Sequence, residues 1–142
     1  MADADIHNSS VRVLVVDDYE PWRRHVRSST LRWMPHAVVV EASDGFQAIR
    51  VAPELNPNLV LLDIGLPVLN GIEVAHRLCK TVPDTKALFL SQETDTEVVR
   101  TALTNGAKGY VVKLDADSEL LPAMETLLRG ETFVSSRITD NI

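Results

Sequence analysis

Residues 58–71 read NLVLLDIGLPVLNG, and the fold follows from where that stretch turns from apolar to acidic. Leu59-Val60-Leu61-Leu62 is a short apolar run, bounded by Asn56, Pro57 and Asn58 before it and by Gly65 and Pro67 after it. Such a run reads as a strand buried on both faces. Asp63 stands where the run stops, and a carboxylate there is costly unless something pairs with it. Pro67 fixes its own φ and biases Leu66 toward extended backbone, so neither strand nor helix continues easily. Asn70-Gly71 marks the turn into a following helix. The stretch therefore delivers one carboxylate to the mouth of a parallel sheet, which is where open α/β sheets bind their ligands.

The same unit recurs on either side. Further apolar, β-branched runs lie at 11–16, 37–41, 86–90 and 109–112. Helical periods separate them. The first starts near Pro21 and carries Trp22, Val26 and Trp33 among four arginines. The second follows Asp44 as its N-cap and is expected to kink or end early at Pro53. The third covers 70–81, and the fourth covers 95–104 with Asn105-Gly106 as its left-handed stop. The last is expected to be capped by Asp117 or Ser118, to hold Pro122 in or near its first turn, and to close at Gly130. Five strands alternating with five helices predict an α/β fold with a doubly wound, five-stranded parallel sheet and right-handed crossovers. Residues 1–10 read as a frayed tail, 11–130 as one domain, and 131–142 as a tail without pattern.

The totals narrow the class. A chain of 142 residues, 45% hydrophobic and 24% charged, is an ordinary globular domain that needs no disulfide or structural metal. Its net charge of −6 argues against gripping nucleic acid or an anionic membrane through charge. The single cysteine, Cys79, reads as a small core or edge residue; it excludes an internal disulfide and a thiolate zinc cage, and implies a reducing, cytoplasmic setting. Residues 1–10 lack the apolar core of a signal peptide, and no apolar run reaches membrane-span length. The four histidines show no metal-ligand spacing.

The residues capable of chemistry fall at strand ends. Asp17 and Asp18 end the first strand, Asp63 the third, Ser91 the fourth and Lys113 the fifth. In a parallel sheet those ends share one edge, so the residues converge. Each has a plainer reading alone: Asp17-Asp18 as a helix cap, Asp63 as a loop acid, Ser91 as a turn residue, Lys113 as a solvated charge. Together they make a site. Three carboxylates repel unless a cation joins them, and oxygen-only ligands favour Mg²⁺ over Zn²⁺. Mg²⁺ of this kind usually also takes phosphate oxygens. An Asp can act as a nucleophile and become an aspartyl phosphate, with Lys113 and the Ser91 hydroxyl orienting the phosphoryl oxygens.

The runs VRVLVVDD, LVLLDIGLPVLNGIE, ALFLS and NGAKGYVVK, in this order over residues 11–129, resemble the receiver domain of bacterial two-component response regulators. The resemblance implies the flavodoxin-like (βα)5 fold with strand order 2-1-3-4-5. It implies phosphorylation of Asp63 by a sensor histidine kinase or another phosphodonor. It also implies Mg²⁺ at Asp17, Asp18, Asp63 and the backbone carbonyl of Gly65. Ser91 and Lys113 would hold the phosphoryl group. Tyr110 matches the family's switch aromatic, whose ring turns inward and re-forms the surface of the fourth helix, fifth strand and fifth helix. NGAKGYVVK, SELLPAMETLLRG and ETFVS resemble the LuxR or NarL branch, in which residues 131–142 would link to a helix-turn-helix DNA-binding domain absent from this chain. The chain then reads as an excised receiver, with DNA contacted only through that domain, no membrane partner, and self-association left open. Three departures stand out: Leu114 replaces the proline often found after the lysine, Gln92 replaces a small residue after the serine, where its amide could tune phosphorylation, and Pro53 is unusual in the second helix. The alternatives are a phosphorylation-independent interaction scaffold and an Asp-nucleophile phosphatase. The phosphatase would want an acid where Gly65 stands. A flavodoxin is disfavoured because acids would repel a flavin phosphate.

Overall fold

The structure, a computed structural model, describes residues 10–139. The expected tail at 1–10 lies outside them except for Ser10, as do residues 140–142 of the C-terminal segment. The elements run β1 (Arg12–Val16), α1 (Glu20–Trp33), β2 (Val38–Ala42), α2 (Gly45–Leu55), β3 (Leu59–Leu62), α3 (Gly71–Thr81), β4 (Lys86–Ser91), α4 (Thr96–Thr104), β5 (Gly109–Val112), α5 (Ala116–Leu128), β6 (Phe133–Val134) and α6 (Ser136–Thr139). A 3₁₀ turn, Lys113–Asp115, joins β5 to α5.

The sheet is parallel, in the order β2-β1-β3-β4-β5-β6. The predicted order of the first five strands is observed, and the predicted count of five is corrected to six. The sixth escaped the sequence because Phe133 and Val134 are only two apolar residues, too few for a periodic signal. They pair with Gly109 and Tyr110 of β5, and the Ser135 N–H donates to the Tyr110 carbonyl. The segment expected to lack pattern thus closes the β5 edge.

Both faces of the sheet are covered, and strand alternation decides which side chain goes where. Leu14, Val16, Val60, Leu62, Phe89 and Tyr110 face Ala48 and Ala52 of α2, Val74 and Leu78 of α3, and Val99 and Ala102 of α4. Val13, Val15, Leu59, Leu61, Leu88 and Val111 face Val26 of α1 and Leu120, Met124 and Leu127 of α5. Ile138 of α6 is buried in the same cluster as Tyr110.

Several local expectations hold and others shift. Asp44 and Asn70 cap α2 and α3 by accepting from the N–H groups of Gln47 and Glu73. Asp95 caps α4, and Gly106 is left-handed after it. Pro53 does not end α2: the helix runs two residues further and stops at Asn56, which has φ 48°. The ring is exposed and sits in the last turn, so only one interior hydrogen bond is forgone. Neither Asp117 nor Ser118 caps α5. The helix begins at Ala116, with Asp115 at the cap position making no side-chain cap bond, because Arg137 holds both its oxygens at 2.8 and 3.0 Å. The earlier start places Pro122 beyond the first turn, again on the exposed side. Cys79 is exposed at the edge of α3.

The C-terminal segment is bolted down by more than its strand. Glu119 accepts from the Ser135 hydroxyl at 2.5 Å and from both the N–H and the hydroxyl of Ser136 at 3.2 Å. Burying Ile138 at 1% exposure makes α6 part of the domain core. Ile138→Ala is therefore expected to lower the unfolding free energy by about 2–5 kcal/mol in denaturant titration. A loss below about 1 kcal/mol, the ordinary effect of a surface change, would mean that 133–139 is not part of the cooperative unit.

Candidate functional site

Register builds the site. Val16 pairs with Leu62 across β1 and β3, so Asp17 and Asp63 leave the sheet side by side, and the Asp63 N–H donates to the Val16 carbonyl at 3.2 Å. Ser91 pairs with Val112, so Lys113 leaves β5 next to the end of β4. Asp17, Asp63, Ser91 and Lys113 therefore lie together at the C-terminal ends of the strands, while Tyr110 sits inside β5.

Lys113 holds the centre. Its ammonium is 2.8 Å from Asp17 Oδ2 and 3.2 Å from Asp63 Oδ2, with only 14% of the lysine side chain exposed. Asp17 is buried, and its other oxygen accepts the Tyr19 N–H at 2.8 Å. Asp63 Oδ1 accepts the Gly65 N–H at 3.3 Å. Asp18 is exposed. One carboxylate oxygen from each of Asp17, Asp18 and Asp63 lies within 4.8 Å of the others. Three carboxylates against one ammonium leave net negative charge among hard oxygen donors. The set therefore fits a divalent cation such as Mg²⁺.

The loop after Asp63 is shaped by sterics. A Cβ on Gly71 would lie 2.0 Å from the Asp63 carbonyl oxygen, so glycine is needed there for close approach rather than for a left-handed turn. The Gly71 N–H in turn donates to the Ile64 carbonyl. Val68 has φ 66° and is 96% exposed between the buried Leu66 and Leu69. The Leu69 N–H donates to the Pro67 carbonyl at 2.7 Å, closing a γ-turn around it. A β-branched residue in that conformation stores strain of about 1–3 kcal/mol beside the acid.

Ser91 is buried, and its Oγ accepts the Glu93 N–H at 3.3 Å. Tyr110 is fully buried, with its ring 6.1 Å from that of Phe89 and its hydroxyl donating to the Glu93 carbonyl at 2.6 Å. Burial pushes its phenol up to about 12, partly opposed by a hydrogen bond with Ser91 and reinforced by the charges of Glu93 and Asp63. Gln92 is exposed and lines an open cleft of about 750 Å³ with Tyr19, Trp22, Lys113 and Leu114. Gly65 has open space where a Cβ would stand, so its placement is not sterically enforced.

The sequence places Trp22 in the first helix without assigning it to the site. The structure sets its ring 5.5 Å from the Lys113 ammonium. The available signal was position: Trp22 falls in the first turn of the helix that follows the acid pair, at the edge where Lys113 must emerge.

A sequence profile described as the response regulator receiver domain matches residues 13–125. The transcriptional regulatory protein DegU of Brevibacillus brevis is 30% identical over 138 residues, spanning 96% of this chain and 58% of that protein. The transcriptional regulatory protein LiaR of Bacillus subtilis (strain 168) is 29% identical, spanning 93% of this chain and 63% of that protein. The chain thus spans about six tenths of the length of these relatives. A LuxR-family two-component response regulator from Aurantimonas sp. SI85-9A1, solved by crystallography, superposes with a TM-score of 0.88 at 31% identity. That match covers 93% of this chain and 94% of the other. Among the described residues no helix is long and apolar enough to cross a membrane.

The Tyr110 environment sets an alkaline limit. Its folded pKa of about 12 lies above the ordinary 10.0, so the folded state holds the proton more tightly than the unfolded chain. Its contribution to stability is present in full below pH 10.0 and is lost as pH rises toward 12. Alkaline titration of phenolate absorbance should show a component near 12 that disappears in Tyr110→Phe. If that substitution leaves the titration curve unchanged, the buried phenol is misassigned.

Proposed function

The chain belongs to the response regulator receiver domain family, in its LuxR/NarL-type branch, and from that premise we propose that Asp63 is the phosphoacceptor. An Asp63 carboxylate oxygen attacks phosphorus in a phosphohistidine or a small phosphoramidate. The P–O bond forms as the P–N bond breaks, and the leaving nitrogen takes a proton. The observation that carries this reading is the Lys113 ammonium bridging Asp17 and Asp63 in a water-poor corner of the sheet edge. Lys113, already 3.2 Å from the reacting carboxylate, offers its charge to the phosphoryl oxygens, and the Ser91 hydroxyl adds a donor. Asp17, Asp18, Asp63 and the Gly65 carbonyl would hold Mg²⁺, which would supply positive charge to phosphoryl oxygens. The product is a covalent modification of the chain, with turnover limited to loss of that group by hydrolysis.

The readout runs through β5. The buried Tyr110, hydroxyl on Glu93 and backbone on Ser135, is the inward arrangement expected of the switch aromatic. A dianion on Asp63 would favour it by drawing the Ser91 hydroxyl toward the phosphoryl group. The responsive surface then comprises α4, β5 and α5, with β6 and α6 attached along β5. A sensor histidine kinase is the proposed donor. Transcription control is the proposed output, through a DNA-binding domain of a longer protein that follows residues 131–142. The regulatory names and greater lengths of DegU and LiaR support that reading. One observation favours a scaffold that works without phosphorylation: Gln92 lines the same open cleft as Lys113.

Intact mass after incubation with Mg²⁺ and phosphoramidate, with and without EDTA, tests the assignment. The wild type should gain one phosphoryl group only with the metal, and Asp63→Asn should gain none; continued labelling of that variant would place the nucleophile elsewhere. In the same assay Gln92→Ala should change the rate of gain or loss if the amide overlies the site. Unchanged rates in both directions would remove Gln92 from the mechanism.

A further inference from the structure

The contacts of Lys113 raise a problem that its two carboxylates cannot solve. Both are committed elsewhere during the reaction: an Asp63 oxygen becomes the bridging oxygen of the acyl phosphate, and Asp17 belongs to the oxygen set suited to a hard cation. An ammonium held only by them would have every anchor change in charge or ligation as the phosphoryl group arrives and leaves. The third partner has neither liability. The Trp22 ring lies 5.5 Å from the ammonium, within the range of a cation–π contact. An indole face does not titrate, does not bind a hard cation and takes no phosphoryl group.

Trp22 is also held in place. It packs against the α1–α5 face of the core, and its other neighbour is the His25 ring, 5.5 Å away and tilted by 40°. It lines the open cleft together with Lys113, and also a narrow gap, too small for a water, lined by Asp17, Asp63 and Leu90. The indole thus forms a wall of the space in which Lys113 can move.

We propose that Trp22 is a positioning residue for Lys113, its indole face keeping the ammonium over Asp63 while the charges of its carboxylate partners change. The proposal rests on the reading of Asp63 as phosphoacceptor. A purely structural role would depend on volume, whereas this role depends on the π face. Phenylalanine and leucine separate the two, because both leave a similar gap and only one presents an aromatic face.

The test compares wild type, Trp22→Phe and Trp22→Leu in two measurements. The first is the initial rate of phosphoryl gain from phosphoramidate, read beside denaturant stability. Trp22→Phe should keep most of the rate. Trp22→Leu should lose roughly threefold to thirtyfold, the span of cation–π contacts from exposed to desolvated, at a stability close to that of Trp22→Phe. Equal rates in the two variants overturn the proposal in favour of packing. The second measurement needs no turnover. Trp33→Phe leaves Trp22 as the only tryptophan, so its emission should shift on Lys113→Met and stay put on Lys108→Met, a change at an exposed lysine near the opposite end of β5. An emission indifferent to Lys113 overturns the contact itself. A wild type that takes no phosphoryl group removes the Asp63 reading and this proposal together, whereas a labelled wild type with an equally fast Trp22→Leu removes Trp22 alone.

Discussion

The structure depends on confining three carboxylates to one sheet edge with a single ammonium among them. Left to themselves, Asp17, Asp18 and Asp63 would repel, and burying Asp17 at 3% exposure would be prohibitive. Lys113 makes the arrangement tenable by bridging the two more buried acids. The compensation is incomplete by design of the charges, because one cation cannot balance three anions. The surplus negative charge is what suits the site to a divalent cation.

That confinement is enforced by backbone geometry. The pairing of Val16 with Leu62 fixes the separation of two acids by strand spacing, not by side-chain choice. The glycine at 71 lets α3 press against the Asp63 carbonyl, and the strained turn at Val68 carries the chain between two buried leucines. The loop that presents Asp63 is thereby tied at both ends. On the proposed reading of Asp63 as phosphoacceptor such rigidity matters, because small misplacements of a nucleophile cost large factors in rate.

β5 links this site to the rest of the molecule. Lys113 leaves its C-terminal end, Tyr110 sits within it, and β6 pairs along its outer side. The turn that follows Lys113 holds Asp115, which Arg137 grips with two hydrogen bonds. One short strand and one turn thus touch the ammonium, the buried phenol and the C-terminal segment. Displacement at any of these must be accommodated by the others, since interiors this closely packed have little slack.

Much of this was legible in the sequence by itself. Apolar runs at regular spacing gave away five of the strands, and the acids, serine and lysine at their ends could be expected to converge, because a parallel sheet leaves those ends no choice but to lie together. Asp44, Asn70 and Asp95 announced their helices through local chemistry. Where a residue's partner lies far along the chain, the sequence was silent or misleading. Asp117 and Ser118 were plausible caps for α5, but the 3₁₀ turn at Lys113–Asp115 runs into the helix at Ala116, and Arg137 holds the carboxylate of Asp115. Glu131 onward had too few apolar residues to read as structure, yet Phe133, Val134 and Ile138 find their places because β5 offers an unpaired edge and Tyr110 a hydrophobic wall. Trp22 was marked only by its place in the first turn after the acid pair, which does not say that its ring faces Lys113. Local propensity and periodicity are written in consecutive residues and survive without a fold. Contacts between residues some 90 positions apart exist only once the register of the sheet has brought them together, and here only the tertiary structure decided them.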